Sequence, residues 1–337
     1  MSTVSAITVI AGTYANADVP KVVADIAPIH SLVSRVMDGV GEPKLIVPNE
    51  TSPHDYRLRP ADAEAIEDAS LVFWMGEGLT PWMERALEAL SNDTDIVEFL
   101  ALEETTLLSF REGALFEAHD HSDHDDHDDD DDHDDHDDHD KDHDDHDDHD
   151  DHDDHDDHDD HAGHDHGEFD PHAWLSTNNA KTWLNVIAAR LSSLDPENAG
   201  TYFSNANEAR TEIDALNEEV NKMLNPVRGG KFVVFHDAYQ YFETVYDFPA
   251  SGAISLGDAS DPSAARIAQI SARIKNENIA CVLSEPQFNA GLVKTVMGGT
   301  DATTEVIDPL GFGIEPGSSL YPKLIRAMAQ SLVNCLK

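Results

Sequence analysis

The chain is 337 residues long and carries 68 acidic against 21 basic residues, a formal net charge of -47. A surface of that sign repels phosphate backbones and anionic lipid, which excludes nucleic-acid and membrane-surface binding and leaves cations as the natural partners. The length suits two ordinary domains, each with its own core, and no run of 18 apolar residues is present to span a membrane.

Ser5–Tyr14 is mildly apolar and runs into Ala15-Asn16-Ala17, the small-x-small form of a signal-peptidase site, although no Lys or Arg precedes it. Residues 1–17 are therefore expected to be a signal peptide or its remnant, cleaved before Asp18, and the mature chain to be periplasmic. Lys21–Pro28 and Lys44–Pro48 read as short buried strands with an apolar-periodic helix, Ile29–Met37, between them. The alternation continues with a helix at Arg59–Ala69, a strand at Ser70–Met75, a helix at Pro81–Leu90 and a strand at Thr94–Glu98. This pattern predicts an α/β fold, a parallel sheet covered by helices.

From His119 to His166 the sequence holds 28 Asp, 16 of the chain's 20 His and four other residues, with a strict His-Asp-Asp triplet between His143 and His161. Such a segment cannot bury a core. It is expected to be an extended, disordered insertion offering many weak cation sites, an accessory scavenger of metal ions.

Asn178–Leu194 and Pro196–Leu224 are predicted helices, the second opened by Asp195-Pro196 as N-cap and first helical residue. A helix of that length spans roughly 40 Å, enough to cross between two lobes. Lys231–Phe235, Ile279–Leu283 and Glu305–Ile307 read as strands, and Ala238–Tyr246, Pro262–Asn276 and Tyr321–Leu336 as helices. The expected organisation is a first lobe over residues 18–194, interrupted by 119–166, a connecting helix over 195–228 and a second lobe over 229–337. Cys281 and Cys335 are the two cysteines; in an oxidising compartment they would join, and otherwise they are two buried thiols.

Outside the acidic tract only His30, His54, His172 and His236 remain. His236 ends a predicted strand, His54 follows one, and His172 stands just before a helix. In parallel sheets the loops beyond the carboxyl ends of strands form the ligand crevice, so these three are candidate metal ligands converging between the lobes. Three neutral imidazoles suit tetrahedral zinc, whereas manganese calls for more carboxylate oxygen. His30 begins the apolar face of a helix and is expected to be structural.

Five motifs give the chain a resemblance to a known family: Ser52-Pro-His-Asp-Tyr-Arg-Leu-Arg-Pro60, Asp170-Pro-His-Ala-Trp-Leu-Ser176, Val234-Phe-His-Asp-Ala-Tyr-Gln-Tyr-Phe242, Ser284-Glu-Pro-Gln-Phe288 and Ile307-Asp-Pro-Leu-Gly311. Together with a His/Asp-rich insertion before the second histidine, they resemble the ZnuA-type zinc receptors, within the metal-receptor cluster of solute-binding proteins of ABC importers. The resemblance runs from Val19 to Lys337. It implies that His54, His172 and His236 ligate Zn2+ in the cleft, that Cys281 and Cys335 form a disulfide, and that the long helix is a rigid backbone between lobes. It further implies a monomer, not an enzyme, that delivers zinc to the membrane permease of an ABC importer.

One position departs from the family pattern: Pro53 stands where some members carry a metal-reaching glutamate. The fourth ligand then falls to water, to Asp308 or to the tract. Three alternatives stay open: a receptor of the same fold for Mn2+ or another divalent metal, a zinc-buffering protein, and a zinc hydrolase using Asp237, Glu285 or Asp308 as base.

Overall fold

The computed structural model describes residues 19–91, 94–111, 116, 169–255, 257, 262–288 and 290–337. The expected signal segment and the His/Asp tract lie outside the described residues.

The first lobe is built from β1 (Val22–Ala24), α1 (Ala27–Val36), β2 (Lys44–Leu45), α2 (Pro60–Glu67), β3 (Leu71–Trp74), α3 (Pro81–Leu90) and β4 (Asp95–Glu98). Its four strands are all parallel, in the order β2-β1-β3-β4. Two helices follow, α4 (Thr177–Leu194) and α5 (Ala199–Leu224). The second lobe repeats the alternation with β5 (Phe232–His236), α6 (Gln240–Tyr246), β6 (Ala253–Ser255), α7 (Ala264–Glu277), β7 (Cys281–Ser284), α8 (Ala290–Val296) and β8 (Thr303–Val306), closed by α9 (Leu320–Leu336). Its strands are also parallel and take the equivalent order, β6-β5-β7-β8. The α/β expectation holds, with two elements it lacked: β6 and α8 are three and seven residues long, too short to display a period.

Alternation along the strands explains how the second sheet is covered on both faces. Phe232 and Val234 of β5, with Cys281 and Leu283 of β7, face a core shared with α4, α5 and α9, while Val233, Phe235 and Val282 face a separate cluster under α7 and α8. The shared core continues into the first lobe, through Ile29, Leu32 and Val36 of α1 and Val22 and Val72 of its sheet.

The α-helical part of the long helix begins later than its sequence suggests. Pro196–Asn198 form a 3-10 turn, and the Asp195 carboxylate accepts from Asn198 Nδ2 (2.7 Å) and the Tyr202 hydroxyl (2.8 Å) instead of capping backbone amides. α5 is held from both sides. Arg35 of α1 pairs with Glu208 and Glu212, and Arg326 of α9 makes a bidentate pair with Glu219 at 2.7 and 2.8 Å. The Cys281–Cys335 disulfide ties β7 to α9 across a Cα separation of 5.5 Å. Among the described residues, no helix is long and apolar enough to cross a membrane.

Candidate metal centre

In a parallel sheet the crevice opens where neighbouring strands send their connections to opposite faces. In the second sheet that point lies between β5 and β7. His236 is the last residue of β5 and Glu285 follows the last residue of β7, so the topology sets an imidazole beside a carboxylate. Glu285 Oε1 accepts from His236 Nδ1 at 2.6 Å and from its backbone amide at 3.4 Å. Phe288, on the turn after β7, packs edge-on against the His236 ring at 5.3 Å and stacks on Phe235.

His172 reaches the same point from the 3-10 turn Ala173–Leu175 that leads into α4. Its neighbour Asp170 accepts from the His172 backbone amide (2.9 Å) and from Nδ1 (2.7 Å). Asp170 is itself placed by a backbone bond from its amide to Leu108 and by the Tyr241 hydroxyl, which donates to its carbonyl. An ionised carboxylate can only accept, so Nδ1 of each ring carries the proton and Nε2 presents a lone pair.

The two Nε2 atoms stand 3.5 Å apart. Two nitrogens bound tetrahedrally to one zinc are separated by about 3.3–3.4 Å, and their ring centroids by about 5.2 Å. The observed centroid distance is 5.3 Å. Lone pairs facing each other at this distance repel unless a cation or a shared proton lies between them, so the pair is preset for a metal ion.

His54 approaches from the loop after β2. That loop is pinned by Trp82, whose indole donates to the Pro53 carbonyl at 2.8 Å, and by Tyr56, which donates to Asp62 at 2.6 Å. The His54 and His172 rings are 5.9 Å apart, slightly wider than the other pair. Among the described residues no three His, Cys, Asp or Glu side chains already gather as a ready-made site. The arrangement is a formed pair with a third donor offset. His54, His172 and His236, with Trp174, Glu285 and Gln287, line a cavity of about 10 Å³. That is room for one ion or one water, not for an organic ligand.

Asp308 is held elsewhere. Its carboxylate accepts from the Leu310 amide (3.1 Å), from Gln287 Nε2 (3.3 Å) and from the Phe312 amide. Burial raises its pKa above the ordinary carboxylate value, against the pull of those donors. Pro309 and Leu310, not Asp308, line the cavity wall. His30 lies on α1, with Nε2 against the Pro43 carbonyl at 3.1 Å, and lines a different hollow of about 470 Å³ beside Asp38, Glu42 and Pro316.

Asp237 faces a partner the sequence did not suggest. Arg111 sits between Asp237 and Glu243, donating to the first at 3.0 and 3.1 Å and to the second at 2.7 and 3.0 Å. The Phe116 ring lies 3.6 Å from its guanidinium carbon. Burial opposes the charge on Arg111, but the two carboxylates outweigh it and hold its pKa above the ordinary value. Two acids share one base, so burial still leaves both carboxyls raised. Ser109 pairs with Phe169 in an antiparallel bridge three residues before His172.

Of the carboxylates that orient the rings, Asp170 had no assigned role in the sequence, and Glu285 was considered only as a base for hydrolysis. Asp170 stands two residues before its histidine, an Asx-type spacing that local inspection could have flagged. Glu285 is 49 residues from His236, and nothing local connects them.

A family model described as zinc-uptake complex component A, periplasmic (ZnuA), matches residues 22–335. The high-affinity zinc uptake system protein ZnuA of Brucella abortus (strain 2308) is 49% identical over 315 residues, covering 94% of this chain and 91% of the relative. Its counterpart in Paracoccus denitrificans is 46% identical, covering 96% and 93%. Among solved structures, a crystal structure of ZnuA aligns with a TM-score of 0.69 at 21% identity, covering 95% of this chain and 100% of that one. A mutant of the laminin-binding adhesin of Streptococcus agalactiae aligns at 0.70 and 19% identity, covering 94% and 100%. At such identities the structural matches bear on the fold alone.

Proposed function

The chain belongs to the ZnuA family of periplasmic zinc-uptake components, and from that premise we propose that it captures one Zn2+ through His54, His172 and His236 and surrenders it to the membrane permease of an ABC importer. The observation that carries this reading is the 3.5 Å approach of His172 Nε2 to His236 Nε2, each ring having its Nδ1 on a carboxylate. Second-sphere carboxylates of this kind fix the tautomer and raise the basicity of a zinc-bound imidazole. A small inward movement of the loop after β2 brings His54 to the same ion, and water completes the tetrahedron. An all-nitrogen protein donor set favours zinc over manganese.

The binding role is further supported against the hydrolase alternative. Asp237 is taken by Arg111, Glu285 by His236 and Asp308 by backbone amides, and the cavity is too small for an ester or peptide. The tract adds weak sites that raise the local zinc concentration.

The test is a zinc competition titration of the single alanine variants. A zinc finger gains about 10–16 kcal/mol from four ligands, so each cleft histidine should be worth about 2.5–4 kcal/mol, roughly 60-fold to several hundredfold in affinity. His30→Ala should bind as the parent does. A cleft variant that keeps full affinity is not a ligand, and the reading fails at that residue.

A further inference from the structure

The motif Ser284-Glu285-Pro286-Gln287-Phe288 forms the turn after β7, closed by a backbone bond from the Phe288 amide to the Glu285 carbonyl. Glu285 and Phe288 already act on the His236 ring, one by hydrogen bond and one by packing. Gln287 lies between them and lines the same small cavity. Its amide has two unlike ends, and the surroundings distinguish them. The end that meets Asp308 Oδ1 at 3.3 Å must be the nitrogen, because a carboxylate accepts and cannot donate. The oxygen is thereby turned away from Asp308, and Oε1 is buried with no hydrogen-bond partner among the described residues.

A buried carbonyl oxygen is costly to leave without a donor. Of the other oxygens nearby, those of Asp308 accept from two backbone amides and from Gln287 itself, and Glu285 Oε1 holds His236. An amide oxygen is also a poor competitor for zinc beside imidazole, thiolate or carboxylate. Building on the imidazole site proposed above, we infer that Gln287 is a positioning residue whose amide oxygen accepts a hydrogen bond from the water completing the zinc coordination, with Asp308 fixing the orientation of the amide. Asp308 thus acts on the fourth position through Gln287 and not as a ligand.

The experiment compares Gln287→Leu, the exchange of Gln287→Glu combined with Asp308→Asn, and His172→Ala with the parent full-length protein, using Zn2+ competition titrations, Co2+ visible spectra and thermal unfolding of the metal-free proteins. Leu matches the shape but has no acceptor; the exchange keeps an acceptor at 287 and a donor between the two side chains. Loss of an outer-sphere partner typically costs 10–100-fold in metal affinity, which is the expectation for Gln287→Leu, with the exchange within a few-fold of the parent. The Co2+ bands should change in the Leu variant, since they report the ligand field and do not respond to packing alone, while metal-free unfolding stays close to the parent. Unchanged affinity and spectrum in Gln287→Leu overturn the inference. Equal loss in Gln287→Leu and in the exchange, with metal-free unfolding unchanged in both, also overturns it, by showing that the acceptor at 287 does not matter. If His172→Ala keeps tight binding, the imidazole site itself is wrong; if it loses binding while Gln287→Leu does not, only the role of Gln287 falls.

Discussion

The two lobes share one strand order and differ in what they do at the point where it reverses. In the first sheet the reversal lies between β1 and β3, and Asp25, just beyond β1, fills it: Oδ1 accepts from the Ile26 amide at 2.7 Å and Oδ2 from the Met75 amide at 2.8 Å. The residue is fully buried and both oxygens serve the backbone. In the second sheet the corresponding carboxylate, Glu285, reaches from β7 to β5 and holds a side chain, His236, whose other nitrogen faces the cavity. A carboxylate at a strand-order reversal can thus close the crevice or arm it. The outcome depends on whether its donors are amides that end there or an imidazole with a second nitrogen to offer.

The largest expected effect concerns the frame of the second lobe. Replacing Cys281 and Cys335 by Ser should cost about 4 kcal/mol in urea unfolding, given the 54-residue loop they close, and leave zinc stoichiometry at one. If stability is unchanged, the disulfide is not what steadies β7 beneath Glu285.

Asp25→Ala and Glu285→Gln then separate the two carboxylates directly. The first leaves the Ile26 and Met75 amides without their acceptor and should cost about 2–4 kcal/mol of stability at pH 4, with zinc affinity close to the parent. The second should cost about 10–100-fold in zinc affinity with little change in unfolding. Should Asp25→Ala weaken zinc as strongly as Glu285→Gln, both reversals belong to the metal site and the contrast dissolves.

A pH series sharpens the same comparison. Burial pushes the Asp25 carboxyl up to about 7, against the backbone amides that lower it. The folded state therefore binds this proton more tightly than the unfolded chain. Its contribution is fully present below the ordinary Asp value and is lost as pH rises through about 7. The stability difference between parent and Asp25→Ala, measured in chelator, should shrink from pH 4 to pH 8. A constant difference would show Asp25 to be ionised throughout.

The smallest effect is expected from removing residues 119–166. All three proposed ligands lie outside that segment, so calorimetry should still find one tight zinc, with several weak ones gone. Loss of the tight site would mean that the tract supplies a ligand.

Much of this was legible in the chain itself. Short continuous apolar runs and amphipathic stretches announced most strands and helices, and their alternation announced parallel sheets, because these patterns are local. His54, His172 and His236 stood out because, of the other 17 histidines, 16 fall in a low-complexity His/Asp segment and His30 sits on an apolar helix face. β6 and α8 were missed because a few residues carry no period; the long helix does open at Pro196, but the 3-10 form of its first turn was not foreseen because Asp-Pro opens a 3-10 turn as readily as an α-helix.

What the sequence by itself determined is the donor chemistry and the elements that carry it: imidazoles beside strand and helix ends, two cysteines, a long helix. Which atoms meet was decided by tertiary structure. The pairing of Glu285 with His236, the clamp of Arg111 on Asp237, the capture of Asp308 by the amides of Leu310 and Phe312, and the turning of Gln287 Oε1 away from Asp308 join groups from different elements. Such contacts follow from the strand order and the packing of α5 against α1, α4 and α9 and of α9 against β7 and β8, which arise from the whole buried core and leave no mark at the residues they bring together.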